Sequence, residues 1–280
     1  MRTCLDCIPC FFRQALEAAR LAGAGKKMQK KVLDELADTL PGIPLDLTPP
    51  EIARIIYKLI GDVTGVRDPL RKIKDQSNKE AMKLYPSLKK KVNASKNKIL
   101  TSIRLAIAGN IIDYGSQQKF NVEKEIKECL KKKFTIFDYD KFKKALKKTD
   151  TVLYLADNAG EIVFDRILIE ALHKKVIFAV KEKPAINDAM KRDAYFCGLD
   201  KVSRVISSGS DAAGTILNLC SPEFLKIYKE SKMIISKGQG NYEALAGEKK
   251  PVFFLIRIKC PVIAGHINCK VGDIVLKSAL

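Results

Sequence analysis

The hydrophobic period of the chain changes near residue 150, and this change limits the folds that the sequence can form. Before it, apolar residues recur every three or four positions, a spacing typical of helices. After it, short apolar runs rich in β-branched and aromatic residues alternate with helical stretches; these runs lie at 151–157, 175–180, 202–208, 233–237 and 251–258. The alternation predicts an α/β fold with a doubly wound parallel sheet and helices on both faces.

The first half of the chain has a uniformly helical pattern. We expect helices near 9–23, 26–39, 49–61, 67–84, 87–113 and 121–133, with no strand among them. Prolines at 41, 44, 49 and 50 separate the second helix from the third. We therefore predict a multihelical domain over residues 1–148, followed by an α/β sheet domain over residues 149–280.

The composition favours a globular protein of a reducing compartment. Of the 280 residues, 46% are hydrophobic and 30% are charged, which is enough apolar material for a packed core. We find no run of ~18 apolar residues, and charged residues in the first twenty positions argue against a signal peptide. The eight cysteines do not form the dense framework of a small secreted domain. We expect a cytoplasmic protein with no membrane contact.

The net charge of +19 raises the question of nucleic-acid binding. Lysine supplies 40 of the 51 basic residues, many of them at helix-surface spacing in 83–98 and 124–148. The arginines and interleaved aromatic side chains that read and stack bases are scarce there. We interpret the charge as a lysine-rich surface, while binding of nucleic acid or of anionic metabolites remains an alternative.

Polar residues follow each of the first four strands predicted in the second half. Ligands of such sheets bind at the carboxyl ends of the strands, so these residues should meet at one rim. In chain order they are Asp157, Asn158, Gly160 and Glu161; Lys181, Asn187, Asp188 and Asp193; Ser208, Gly209, Ser210 and Asp211; and Lys237, Gly238, Gly240 and Asn241.

The residue types at this rim suit a metal ion together with a phosphate. Carboxylate and amide oxygens without a nearby histidine or cysteine are the ligands of Mg²⁺ or Mn²⁺ rather than of structural zinc. A lysine and glycine-bearing turns that open helices offer a phosphate a point charge and free backbone N–H groups. Helix capping is the ordinary structural explanation for Asp157.

Motifs of several other enzyme classes are absent from the sequence. It contains neither a GxGxxG after the first strand nor a GxxxxGK[ST], which argues against a dinucleotide fingerprint and a P-loop. A GxSxG is also missing. The two histidines, His173 and His266, leave little choice for a Ser-His-Asp or Cys-His arrangement, and we expect both to be structural.

Eight strings of the sequence, in this order and spacing, resemble the DUF89 family of damage-control phosphatases, particularly its cysteine-motif subfamily found in archaea. They span nearly the whole chain: CLDCIPCFFRQAL (4–16), RDPLRKIKDQSN (67–78), AGNIIDYG (108–115), LADNAGEIVFD (155–165), KPAINDAMKRDA (183–194), SSGSDAAGT (207–215), KGQGNYEAL (237–245) and IKCPVIA (258–264).

The resemblance implies a Rossmann-like three-layer sheet joined to a helical array, and a phosphatase that depends on a divalent ion (Mn, Ni, Co or Mg). Its substrates would be small phosphorylated metabolites, such as sugar phosphates or the phosphates of damaged cofactors and metabolites. Carried over by motif, Asp157, Asn158 and Asp188 would bind the metal, Lys237 would hold the phosphate, and Asn110 and Asp113 would lie on the substrate side of the cleft.

Several further roles are expected around these residues. The loops contribute Ser208, Gly209, Gly238 and Asn241 to substrate binding. Glu161 and Asp193 are candidates for a proton acceptor or a water-orienting group beside Asp157 and Lys237. Gly109 and Asn110 interrupt an apolar helix, where glycine costs ~1 kcal/mol relative to alanine, so a helix C-cap remains a structural alternative for them.

Two questions stay open at the level of sequence. Cys4, Cys7 and Cys10 fit a packing role, a second metal site completed by Cys260 or Cys269, or a redox role, and we assign them no catalysis. A carboxylate methyltransferase is a further alternative, prompted by a distant branch of the same family, but the first strand–helix turn lacks a glycine-rich run. The sequence does not indicate an oligomeric state.

Overall fold

The computed structural model describes residues 1–110 and 122–280, which form twelve α-helices and seven strands. The helices are α1 (Cys7–Leu21), α2 (Lys26–Thr39), α3 (Pro49–Thr64), α4 (Arg71–Asn93), α5 (Lys98–Gly109), α6 (Val122–Lys131), α7 (Tyr139–Lys147), α8 (Glu161–Leu172), α9 (Lys191–Phe196), α10 (Pro222–Glu230), α11 (Gly238–Leu245) and α12 (Pro261–His266). The strands are β1 (Phe134–Phe137), β2 (Thr151–Leu155), β3 (Lys175–Val180), β4 (Arg204–Ser207), β5 (Ile234–Lys237), β6 (Val252–Arg257) and β7 (Ile274–Ser278).

The strands form one mixed sheet in the order β1-β7-β6-β5-β2-β3-β4. The neighbours from β6 through β4 are all parallel, as the alternating pattern predicted, and β7 runs antiparallel to β6. The α/β class is therefore confirmed. The order of strands reverses at β2, which lies between β5 and β3, so the loops after β2 and its neighbours open onto one crevice at the carboxyl edge.

Both faces of the sheet are buried, which makes β2 an almost continuous apolar run. Val152 and Tyr154 belong to a core shared with α4, α5 and α8, whereas Leu153 and Leu155 belong to a second core shared with α10, α11 and α12. Strands covered on both faces carry few polar positions until they end. The polar residues that begin at Asp157 therefore mark the edge of the sheet.

Gly109 permits a close approach between α5 and α8. A Cβ at this position would lie 3.0 Å from the ring of Phe164, tighter than ordinary contact. Because α5 packs this closely along α8, its C-cap residue Asn110 is brought to the amino end of α8. The break at Gly109 and Asn110 is thus both a helix end and a means of placing Asn110 at the candidate site.

Three sequence-based expectations need correction. Residues 134–137 form β1, a strand inside the range predicted to be helical throughout, and β7 at 274–278 was not predicted. Helix α4 continues through Pro86 to Asn93 rather than ending near 84. Pro86 is exposed, so the carbonyl that it leaves without a helical partner can bond to water.

The predicted domain boundary at 148 stays a prediction, but packing crosses it. β1 pairs with β7, and α4 and α5 share the core of the sheet. In contrast, α1, α2 and α3 form a bundle with its own core, which includes Cys7, Phe11 and Ile56. This bundle meets the sheet region where α3 packs against α11. Within residues 1–110 and 122–280, we find no helix with the length and apolarity needed to cross a bilayer.

Candidate active site

Two loops at the carboxyl edge of the sheet are tied together by backbone hydrogen bonds. The N–H of Ala159 donates to Asn187 O at 2.9 Å, and the N–H of Ala189 donates to Asp157 O at 2.8 Å. Asn158 and Asp188 consequently face each other as an isolated bridge. The structure thus brings together Asp157, Asn158 and Asp188, the three residues predicted as metal ligands.

Amide donors converge on the carboxylates of Asp157 and Glu161. Asn110 Nδ2 donates to Asp157 Oδ2 and to Glu161 Oε2, both at 2.7 Å. Asn158 Nδ2 donates to the same two oxygens, at 2.8 Å and 2.9 Å. Two carboxyl side chains are therefore held beside each other in a nearly dry site, since Asp157 is only 8% and Glu161 only 2% exposed.

Lys237 lies beneath this cluster as its buried counter-ion. Its Nζ donates to Glu161 Oε1 at 2.7 Å, to Asp165 Oδ1 at 2.6 Å and to Ala106 O at 2.8 Å. Burial lowers the pKa of Lys237, but the two carboxylates outweigh it and the net shift is upward. All three ammonium protons have protein acceptors, so Lys237 could hold a phosphate only by giving up one of these hydrogen bonds. The phosphate-holding role stays a prediction.

The acidic groups of the site share too few positive charges to be fully ionised at low cost. Burial, followed by the charges of Glu161 and Asp188, raises the pKa of Asp157 well above its usual range. Burial also raises the pKa of Asp188 to about 6, against the opposing influence of Lys181. Such raised values in a cleft are typical of groups that await a cation or a proton.

Asp188 has an oxygen available for a ligand. Its Oδ2 is buried and has no hydrogen-bond partner among the described residues, while Lys181 Nζ lies 3.5 Å away and donates to Gly214 O. Together with the Asp157 carboxylate and the Asn158 amide, this orphaned oxygen is a donor set that suits a hard divalent ion. Among residues 1–110 and 122–280, no group of three or more His, Cys, Asp or Glu side chains is arranged to hold a metal ion. The predicted ligand set consists of two carboxylates and one amide, so it contains only two side chains of these types.

Gly238 leaves room for the Asp157 carboxylate. Its φ is +78°, and a Cβ built on it would overlap the side chain of Asp157. At this position a side chain is excluded both by the left-handed backbone and by the space that the carboxylate occupies. Gly238, which was expected to bind substrate, is thus required for the backbone to lie this close to the Asp157 side chain.

We expect Gly238→Ala to cost more than ~2 kcal/mol of unfolding free energy, since left-handed strain alone costs ~1–2 kcal/mol, and to abolish turnover by displacing Asp157. Denaturant unfolding and phosphate-release assays check this. Gly247→Ala is the matched control, because a Cβ there meets nothing within 4 Å. Equal behaviour of the two variants would contradict the close approach between Gly238 and Asp157.

Both carboxylate oxygens of Asp193 accept hydrogen bonds inside the protein. Its Oδ2 accepts the N–H of Met190 at 2.9 Å, and its Oδ1 accepts from Asn78 Nδ2 at 2.8 Å. Asn78 Oδ1 in turn accepts the N–H of Gly160 at 2.7 Å. These contacts favour a positioning role for Asp193, because Oδ2 bonds directly to Met190 at the start of α9 and Oδ1 is linked to the loop after β2 through Asn78. Its predicted role as a proton acceptor or water-orienting group stays a prediction.

We expect Asn78→Ala to cost about 2–4 kcal/mol of unfolding free energy, because it leaves two buried partners, the N–H of Gly160 and Asp193 Oδ1, unsatisfied. Asn93→Ala, at the exposed end of the same helix, should change stability by less than ~0.5 kcal/mol. Urea unfolding of both variants measures the difference. A cost at Asn78 no larger than at Asn93 would show that the two loops do not depend on this tie.

The remaining predicted substrate residues divide into buried and accessible groups. Asn241 is fully buried and bonds through its side chain to Ala156 O, Lys237 O and the hydroxyl of Thr215, so it joins three segments. Ser208 is also buried, whereas Gly209 is exposed beside it. Asp113 lies outside the described residues. Substrate binding by any of these residues stays a prediction.

Sequence reasoning missed two members of the buried network. Asp165 accepts from both Lys237 and the Tyr154 hydroxyl. Its position four residues after Glu161 on α8 puts both carboxylates on one helix face, a spacing that could have revealed it. Asn78 is the last residue of the family string at 67–78, but its position on α4 gives no sign that its buried side chain bonds to Gly160 and Asp193.

The three amino-terminal cysteines have different surroundings. Cys4 Sγ and Cys7 Sγ lie 3.7 Å apart, whereas Cys10 Sγ accepts from Gln14 Nε2 at 3.2 Å. Cys7 belongs to the core of the α1–α3 bundle, and burial is the main cause that raises its pKa to about 11. These contacts favour packing for Cys7; a second metal at the three cysteines stays an untested prediction.

Comparison with known proteins identifies the family. The family model described as the damage-control phosphatase ARMT1-like domain matches residues 3–275. The chain belongs to this family. Damage-control phosphatases from two archaea resemble it over nearly their full length: that of Archaeoglobus fulgidus is 31% identical over 97% of each chain, and that of Pyrococcus horikoshii is 32% identical over 98% of this chain and 97% of its own.

A solved structure agrees with the damage-control phosphatase fold of this chain. The crystal structure of a DUF89 family protein from Pyrococcus horikoshii superimposes with a TM-score of 0.92, at 30% identity, over the full length of both chains. A protein of Methanocaldococcus jannaschii is also 31% identical over 97% of this chain and 93% of its own. The relatives support a phosphatase function, and the DUF89 resemblance drawn from the sequence motifs is confirmed.

Proposed function

We propose that this protein is a divalent-metal-dependent phosphatase that hydrolyses small phosphorylated metabolites. Relatives named damage-control phosphatases support the phosphatase activity. The observation that carries the metal dependence is the pair of buried carboxylates, Asp157 and Asp188, which two bonded loops hold together and whose pKa values stay raised despite the nearby Lys237 and Lys181. Burying such groups is costly unless a counter-charge joins them.

Asp157, Asn158 and Asp188 would hold the ion, with Mn, Ni, Co or Mg as the candidate metals. An ion of this kind, when bound, supplies Lewis-acid polarisation of a phosphoryl oxygen and lowers the pKa of a water. Asn158 would present its amide oxygen, which requires the amide to rotate away from the donor orientation it has toward Asp157 and Glu161. The neighbouring Asn110 keeps both carboxylates bonded during that change.

The chain's own groups would do the remaining work. The first turn of α11, which starts at Gly238, directs backbone N–H groups toward the rim, where a phosphate oxygen can accept them. Of the two predicted proton acceptors, Glu161 is the one bonded into the Asp157 cluster, because its Oε2 accepts from the same Asn110 and Asn158 amides as Asp157. To accept a proton or orient a water it would have to release one of these donors, as Asp193 would have to release Asn78 or Met190. Lys237 keeps Glu161 and Asp165 in place and neutralises part of their charge.

A substrate and metal screen tests this proposal. Purified protein is stripped with a chelator, reloaded with a single divalent ion, and offered a panel of sugar phosphates and cofactor phosphates while inorganic phosphate is measured. We expect turnover of at least one ester, dependent on the added ion. Absence of turnover with every ion, together with tight, salt-sensitive retention on a polyanion column, would favour the nucleic-acid alternative instead.

A further inference from the structure

Helix α3 reaches from the helical bundle to a loop of the candidate site through Arg54. The Nε of Arg54 donates to Asp211 Oδ1 at 2.5 Å, and Asp211 belongs to the loop that follows β4. Tyr57 comes three residues later, so its Cβ lies about 5–6 Å from that of Arg54 on the same face. Both side chains therefore belong to the surface that α3 turns toward the sheet edge.

Within residues 1–110 and 122–280, the outer part of the Arg54 guanidinium has no hydrogen-bond partner. Its ion pair with Asp211 uses Nε, and the two Nη groups have no hydrogen-bond partner among the described residues. The side chain is 40% exposed, so these donors are accessible. A guanidinium fixed at Nε with free Nη groups presents the planar fork that binds a carboxylate or a phosphate through two bonds.

Tyr57 locates this surface relative to the candidate metal site. Its hydroxyl has no hydrogen-bond partner in the part of the chain that the structure describes. Burial is the main cause of the raised pKa of Tyr57. Helix α3, which carries both Tyr57 and Arg54, packs against α11, the helix that begins at Gly238 of the candidate site.

The loop that carries Asp211 is bonded to the segment that carries Asp188. The N–H of Glu182 donates to Ser210 O at 3.0 Å, and Lys181 Nζ lies 3.5 Å from Asp188 Oδ2 and donates to Gly214 O. These two loops follow β3 and β4, which are neighbours in the sheet. Arg54, through Asp211, therefore lies at the same rim as Asp188, on the next loop along the sheet edge.

We propose that Arg54 binds a second anionic group of the substrate, a carboxylate or another phosphate, at the end remote from the reacting phosphate. This inference rests on the proposed phosphatase function and narrows its substrate class to phosphorylated metabolites that carry a further negative charge. Asp211 is the positioning residue that holds the fork. Neutral sugar phosphates would fill the site without using Arg54.

The experiment compares esters that differ in one carboxylate. The Mn²⁺-loaded full chain is assayed with phosphogluconate against glucitol phosphate, both open chains phosphorylated on the last carbon, and with phosphoglycolate against hydroxyethyl phosphate. In Arg54→Gln, kcat/KM for the carboxylate-bearing esters should fall about tenfold through KM, as expected for a lost hydrogen bond to a charged group. The neutral esters should change less than twofold. Arg54→Lys keeps the charge without the fork and should show a smaller loss of the same selectivity.

Arg67→Gln is the matched control, because Arg67 pairs with Asp62 at 2.9 Å but is 69% exposed near the far end of α3. Equal losses for charged and neutral esters in Arg54→Gln, or the same selective loss in Arg67→Gln, would overturn the proposal. If no ester is turned over, calorimetric titration of the protein with the charged and the neutral ester tests the second anion site independently of the phosphatase function. Preferential binding of phosphogluconate that Arg54→Gln abolishes supports the second anion site, and equal binding of both compounds contradicts it.

Discussion

Lys237→Met should destabilise the protein by about 3–5 kcal/mol, the cost of leaving buried charges without their partner. Lys237 is fully buried and bonds to Glu161 and Asp165, which would both lose their counter-ion. Methionine is close to lysine in shape, so packing changes little and the charge effect dominates. Urea unfolding at neutral pH measures the difference in free energy.

Two further variants identify the cause of the Lys237 effect. Asp165→Asn combined with Lys237→Met should recover part of the lost stability, because it removes one of the two uncompensated carboxylates while Tyr154 keeps an acceptor. Lys30→Met is the exposed control: Lys30 pairs with Asp34 at 2.7 Å, and its side chain is 76% exposed. Such a surface pair contributes about 0.3–0.5 kcal/mol. A loss in Lys237→Met no greater than in Lys30→Met would contradict the buried ion network.

Asp157→Ala and Asp188→Ala should each lower kcat at least ~10³-fold, because a metal's charge stabilisation supplies several kcal/mol of the barrier. Stability without metal should change little in Asp157→Ala, because the amides of Asn110 and Asn158 still have Glu161 Oε2 as acceptor. In Asp188→Ala, Lys181 still bonds to Gly214 O but loses the carboxylate 3.5 Å from its buried Nζ, so this variant should also lose stability, by up to about 3–5 kcal/mol.

Activity and unfolding must be measured on the same preparations of these variants. Asp150→Ala is a suitable control, since Asp150 is exposed just before β2 and away from the rim. A variant that is inactive because it is unfolded would lose its cooperative transition. Unchanged turnover of folded Asp157→Ala or Asp188→Ala at saturating metal would remove that residue from the site.

The sequence predicted the central strands and the rim because both depend on local patterns. β2 is buried on both faces, so its apolar run ends where Asp157 begins, and the rule for parallel sheets then places Asp188 and Lys237 at the same edge. β1 was missed because four residues beside a run of lysines carry little periodicity. β1 is stabilised by pairing with the equally unpredicted β7, a contact more than a hundred residues away in sequence.

The side-chain partners at the site could not be derived in the same way. Lys237 was identified correctly as a strand-end residue. Only the tertiary structure reveals that two of the three acceptors of its ammonium group, Glu161 and Asp165, come from α8. Asn78 reaches Gly160 and Asp193 from α4, a helix whose sequence gives no sign of this contact. Local patterns therefore predict where the chain turns at the rim, while the assignment of partners requires the fold.

The most direct test of the proposed function is a titration of metal-stripped protein with Mn²⁺ while the release of inorganic phosphate from a substrate ester is recorded. We expect no release before Mn²⁺ is added, a rise that saturates with the metal, and no rise in Asp188→Ala at the same metal concentrations. Full turnover by the stripped protein, or normal activation of Asp188→Ala, would contradict a metal-dependent phosphatase site built on Asp157, Asn158 and Asp188.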